Sequence, residues 1–140
     1  YKHFTNKIWN AARFVLMSTE GLDVEKDIHL TEKDAELLRQ ADALAVEVTQ
    51  DIVQYHLYLA AEKLYHYFWH TFADIIIEEV KPRLRSENKE EQTSAQHMIY
   101  QLLVLQLKLL HPFMPFVTEA VWEQMPKKQD SLLMVEKWPT

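Results

Sequence analysis

The sequence predicts an all-α domain, a bundle of four to five helices, on three observations. It has one glycine in 140 residues, where average usage near 7% would place roughly ten. Sheet folds and phosphate-binding loops spend glycine at turns and close approaches, so a β-sandwich, a Rossmann unit and a P-loop enzyme are all disfavoured. Apolar residues make up 48% of the chain and recur at three- and four-residue steps, the period of a helix with one buried face. Only five prolines interrupt it.

The elements follow in order. Phe4, Ile8, Ala11, Ala12 and Val15 place a first helix over 2–18, ending near Gly21 as a C-cap. Residues 21–30 lack a period and read as a connection. Thr31 is an N-cap, with Asp34 three residues on in an acidic first turn. A second helix spans 32–54, with Ala35, Leu38, Asp42 or Ala45, Val46, Thr49, Ile52 and Val53 along one side. The pattern jumps at 55–58, where a turn is expected. A third helix over 59–80 carries Leu64, Phe68, Phe72, Ile75 and Ile76, and Pro82 stands where proline stops a helix. Residues 83–91 form a polar linker. The most apolar helix, 92–110, precedes Pro112 and Pro115, and a short fifth helix covers 116–124. The tail 131–140 is too short and mixed to assign. Short connections between antiparallel neighbours make a bundle.

Charge is uneven. Residues 1–19 hold three basic and no acidic residues, residues 20–62 eleven acidic against three basic, and residues 63–140 ten acidic against nine basic. A whole-domain nucleic-acid footprint would be basic; any RNA contact is therefore local, with the acidic segment turned away. No cysteine is present, which removes disulfides, thiolate zinc sites and a cysteine nucleophile. The opening YKHFTNKIWN is no signal peptide and starts mid-pattern, as a piece of a longer chain would. The most apolar run, 99–110, carries Gln101, Gln106 and Lys108 and is too short to span a bilayer, so no membrane partner is expected.

Few residues offer chemistry. His66 and His70 have a chelating i,i+4 spacing, but no third ligand accompanies them. Asp74, Glu78 and Glu79 read as a solvated face paired with lysines such as Lys81. Asn6, Asn10 and Arg13 recur at i, i+4 and i+7 and project from one face, opposite Ile8 and Val15. Two amides and a guanidinium so aligned offer donors to phosphates and base edges; the alternative is that they bond to neighbouring helices and fix the bundle. Lys81-Pro82-Arg83-Leu84-Arg85 is the sharpest basic cluster. Among Tyr65, Tyr67, Phe68, Trp69 and Phe72, mostly core by position, Tyr65 or Trp69 could face out and stack on a base.

Four blocks carry a resemblance. Asn6-Lys7-Ile8-Trp9-Asn10-Ala11-Ala12-Arg13-Phe14-Val15 resembles the opening helix of the anticodon-binding domain of class I aminoacyl-tRNA synthetases, closest to the valyl type. The similarity continues at Leu64 to Trp69, at Lys81 to Leu84 and at His111 to Trp122, with Trp138-Pro139 where such a domain closes. The blocks keep the family's order over nearly the whole chain. One departure is that Ile75, Ile76 and Ile77 follow Asp74, where the family often has a Trp-Tyr pair. The resemblance implies a cytoplasmic helical bundle that grips the anticodon stem-loop of a valine-accepting tRNA, as a C-terminal-region part of a longer synthetase. It implies other domains of that synthetase as partners, with ATP and Mg serving a catalytic domain elsewhere, because the HIGH and KMSKS signatures are absent here. The site residues it implies are Asn6, Asn10, Arg13, Lys81 and Arg83, with Phe113, Phe116 and Trp122 packed into the bundle. The isoleucyl and leucyl relatives, and a helical protein-interaction module, are the alternatives.

Overall fold

The computed structural model describes residues 2–24, 26–126 and 132–139. Its helices are α1 (Lys2–Ser18), α2 (Glu32–Val53), α3 (Leu57–His66), a π-helical stretch (Tyr67–Ile76), α4 (Ile77–Leu84), α5 (Lys89–Leu110) and α6 (Pro115–Glu123), followed by a single 3₁₀ turn (Leu133–Val135). The described residues contain no strand. Because α3, the π stretch and α4 run on without a break, the bundle has five rods, in agreement with the expected all-α class.

α5 is the axis. Met98, Ile99, Leu102, Leu103, Leu107 and Leu109 are wholly buried, and burial around most of its circumference marks an interior helix. α1, α2 and the long rod pack around it and α6 covers its end. The tail, unassigned from sequence, is pinned by Trp138, whose indole N–H donates to the Thr49 hydroxyl at 2.8 Å. Ser131 and Thr140, its expected limits, lie outside the described residues.

Ala60, Leu64, Phe68, Phe72, Ile76 and Val80 form a strict four-residue repeat, and all six are buried. In α geometry each such step overshoots a turn by about 40°, so five steps would drift about 200° and carry Val80 to the far side. The rod winds wider instead. The Ile77 N–H reaches the Phe72 carbonyl, five residues back, and the slower turn keeps the repeat facing the core. The helix also continues to Leu84 through Pro82 rather than stopping before it, so the expected linker shrinks to 85–88. Proline's fixed φ suits a helix, and Arg83 is anchored one residue later.

That anchor is the central polar feature. Arg83 Nη1 donates to Asp34 Oδ1 at 2.9 Å and Nη2 to Oδ2 at 2.6 Å. Ser94 Oγ donates to the same Oδ2 at 2.5 Å and accepts the Thr31 N–H at 2.9 Å. Arg83 Nε reaches Glu91 at 3.1 Å. Thr31 caps α2 as expected, accepting the Asp34 N–H, but Asp34 is fully buried rather than one more solvated first-turn acid. α2 is accordingly rotated from the expected side: Asp34, Ala41, Ala45, Val48 and Asp51 face inward, while Val46 and Val53 are exposed.

Burial alone would raise the Asp34 carboxyl, but hydrogen bonds from Arg83 and Ser94 and the guanidinium charge outweigh it and hold the group below its ordinary 3.8. A carboxyl lowered on folding contributes stability that is complete above that ordinary value. The contribution should therefore drain away as the pH falls below 3.8 toward the folded value. Asp34→Asn leaves a guanidinium that is 12% exposed with Glu91 alone to offset its charge and is expected to cost about 3 kcal/mol in urea unfolding at neutral pH. It should also flatten the acid limb of the stability curve. An unchanged midpoint would remove the pair from this role.

Candidate nucleic-acid interface

α1 buries Phe4, Ile8, Ala11, Ala12 and Val15, which fixes its rotation and sends Asn6, Asn10 and Arg13 outward; all three are exposed. Arg13 Nη1 donates to the Asn10 amide oxygen at 3.3 Å. Among the described residues, Asn10 and Arg13 are thus bonded to each other and not to a neighbouring helix.

A depression of about 220 Å³ lies beside it, where α1 meets the π stretch and α4. Lys7 and Asn10 line one wall, Glu78 and Lys81 the other, with Ala11, Phe14 and Ile77 in the floor. Each lysine is braced by a carboxylate and a ring. Lys7 Nζ lies 3.1 Å from Asp74 and 5.2 Å from the Trp69 ring centroid. Lys81 Nζ lies 2.6 Å from Glu78 and 5.7 Å from the Phe14 ring. Contacts of this kind hold a cation in place while leaving its outer side to solvent.

Four of the five expected residues therefore share one side of the molecule, and Arg83 does not join them. Residues two apart on a helix do not face each other; with Lys81 toward α1, Arg83 points toward α2 and is committed to Asp34 and Glu91. Its guanidinium is held within the fold rather than offered at this face. Lys7, which was not among the expected site residues, also stands on this side. It sits inside the Asn6–Arg13 block, three residues before Asn10, and that spacing was the available signal.

Other candidates resolve as packing. Tyr65 and Trp69 do not stand free: Tyr65 meets Phe4 edge-on at 4.8 Å, and Trp69 stacks on it at 6.3 Å. His66 and His70 stack on each other at 5.5 Å, each 3.7 Å from a carboxylate four residues away, Glu62 and Asp74 respectively. Among the described residues no three His, Cys, Asp or Glu side chains converge as metal ligands. Asp74, Glu78 and Glu79 pair with Lys7, Lys81 and Lys33. No helix among the described residues is long and apolar enough to cross a membrane. Phe116, expected in the core, is 90% exposed, while Trp122 is buried as expected.

Residues 34–140 match the family described as the anticodon-binding domain of tRNA ligase. The chain belongs to that family. Relatives extend the similarity across α1 and its stripe. The valine–tRNA ligase of Petrotoga mobilis is 41% identical over 142 residues, spanning 99% of this chain. Those of Thermotoga maritima and Carboxydothermus hydrogenoformans are 40% and 39% identical over the same share. The chain spans 16% of the length of each of these relatives. The anticodon-binding fold expected from the four sequence blocks is thus the family to which the chain belongs.

Because, among the described residues, Asn10 and Arg13 hold only each other, Asn10→Ala and Arg13→Ala should each move the unfolding free energy by less than about 0.5 kcal/mol. Lys7→Ala, which removes an ion pair and a ring contact, should cost about 1 kcal/mol. Chemical denaturation reads both, and a large loss at Arg13 would return the stripe to a structural role.

Proposed function

We propose that this chain is the anticodon-binding portion of a valine–tRNA ligase and that it holds the anticodon stem-loop of a valine-accepting tRNA. The observation that supports the reading most is the exposed Asn6–Asn10–Arg13 stripe beside the Lys7/Lys81 depression, on a domain of this family. Arg13, Lys7 and Lys81 are suited to phosphates, and the Asn6 and Asn10 amides to base edges or sugar hydroxyls. The work done is positional: holding the loop orients the tRNA so that its acceptor end reaches an active site elsewhere in the ligase. ATP and Mg would serve that catalytic part, and no residue of this chain is assigned to them. The same reading carries a cytoplasmic location.

Few cations face the RNA, and the chain has a net charge of −6, so affinity should be modest and salt-sensitive. Fluorescence anisotropy with a valine anticodon stem-loop, beside one with exchanged anticodon bases, tests the proposal. Anticodon-dependent binding to the valine loop is expected. Arg13→Ala and Lys81→Ala should each weaken binding to both loops alike and lower the salt slope by about one. A preference for an isoleucine or leucine anticodon would reassign the ligase. Binding indifferent to both substitutions would remove this face.

A further inference from the structure

The far end of the bundle, where Tyr55, Tyr58 and Phe116 stand exposed, is walled by uncharged residues, whereas a row of titratable groups runs along the long rod. Glu62, His66, His70, Asp74 and Glu78 occupy every fourth position. The slow winding that keeps Phe68 and Phe72 inward keeps this second row in line as well. His66 Nε2 lies 3.7 Å from Glu62 and His70 Nδ1 lies 3.7 Å from Asp74, and these four side chains are each about half exposed.

Asp74 is where the row meets the RNA face. Its Oδ1 accepts from Lys7 Nζ at 3.1 Å, and its Oδ2 is the atom that His70 faces. At 3.7 Å a neutral imidazole makes no hydrogen bond there, so the carboxylate charge is spent on Lys7. An imidazolium in the same place competes for it. Lys7 and Asp74 together present no net charge to an approaching phosphate; with His70 protonated, the three present one positive charge. The other charged groups around His70 are already committed. His66 stacks on it and faces Glu62. In the groove that both histidines line, Lys63 pairs with Glu47 and Asp51 of α2. Glu78, next in the row, is held by Lys81.

We propose that Asp74 restrains Lys7 against RNA and that protonation of His70 relieves the restraint, so that stem-loop binding tightens as the pH falls. The inference deepens the RNA reading above and rests on it. Histidine is the side chain that ordinarily changes charge between pH 5 and 8, so the gain is absent at the alkaline end of that range and grows toward the acid end. By linkage, bound RNA favours the proton on His70 to the same extent. Exposed charges interact weakly and are screened by salt, so the expected gain is about three- to fivefold at low salt. It is independent of sequence, because phosphates carry it.

Two measurements on the chain, whose core is internal to it, test this. In a heteronuclear NMR pH titration without RNA, the Lys7 ε-methylene resonance should move with the His70 ring protons, and Asp74→Asn should uncouple the two. A Lys7 resonance that ignores His70, or that follows it equally in Asp74→Asn, would overturn the inference. In fluorescence anisotropy at low salt, the valine loop and the exchanged loop should both bind about three- to fivefold tighter at pH 6 than at pH 8. His70→Asn should match the unaltered chain at pH 8 and lose the gain, while Asp74→Asn should bind tightly at both pH values. His3 stands one turn before Lys7 on α1, and His3→Asn should keep the gain. A gain that survives His70→Asn, or that disappears in His3→Asn, would also overturn the inference. Binding without any pH gain removes it and leaves the anticodon reading standing. A pH gain without preference for the valine loop does the reverse, and failure of both loops to bind at pH 6 removes the two together.

Discussion

The buried bond between Asp34 and Arg83 sets much of what the rest of the structure can do. It joins the start of α2 to the last turn of α4, and through Ser94 and Glu91 it reaches α5. A guanidinium and a carboxylate held bidentately and out of water tolerate little rotation. Fixing Arg83 therefore fixes the face on which Lys81 emerges, two residues earlier, and that face is the one turned toward α1. A contact held almost wholly out of water thus decides where an exposed cation stands.

The widened turn of the long rod serves the same arrangement. A strict repeat of four needs slower winding than an α-helix supplies, and the π stretch supplies it between Tyr67 and Ile76. Phe68, Phe72 and Ile76 stay on the core side, so Trp69 is left beside Lys7 and Ala73 at the wall of the depression. The two ends of the bundle then divide the chemistry. Amides and cations gather on α1 and α4, and uncharged rings gather around the α2–α3 turn and the start of α6. The acid-rich α2 spends Asp34 and Asp51 on internal pairs with Arg83 and Lys63.

Local pattern made much of this legible. The limits of α1, the Thr31 cap, the apolar character of α5 and the short helix that follows Pro112 and Pro115 all follow from spacing and capping, and the outward Asn6–Asn10–Arg13 stripe follows from the apolar positions opposite it. What stayed hidden depends on partners far apart in the chain. The rotation of α2 is set by an acid whose partner lies 49 residues away, so an apolar count along α2 places Val46 and Val53 inward when they are exposed. Arg83 and Lys81 look alike in a basic cluster until one of them is paired with a buried carboxylate. Phe116 reads as core from its size, but Pro115 starts α6 and Val117, Thr118, Val121 and Trp122 take the inner face, leaving Phe116 outside. The repeat of four was visible in the sequence, and its conflict with 3.6 residues per turn was the signal for the π stretch.

The most direct test of the central claim, that RNA is held on the α1/α4 face, is an amide NMR titration of the chain with a valine anticodon stem-loop. The account predicts shift changes concentrated at residues 6–17 and 78–81, with the acid-rich outer face of α2 and the uncharged far end, 53–61 and 112–117, left unmoved. Changes centred on that far end, with α1 silent, would contradict it.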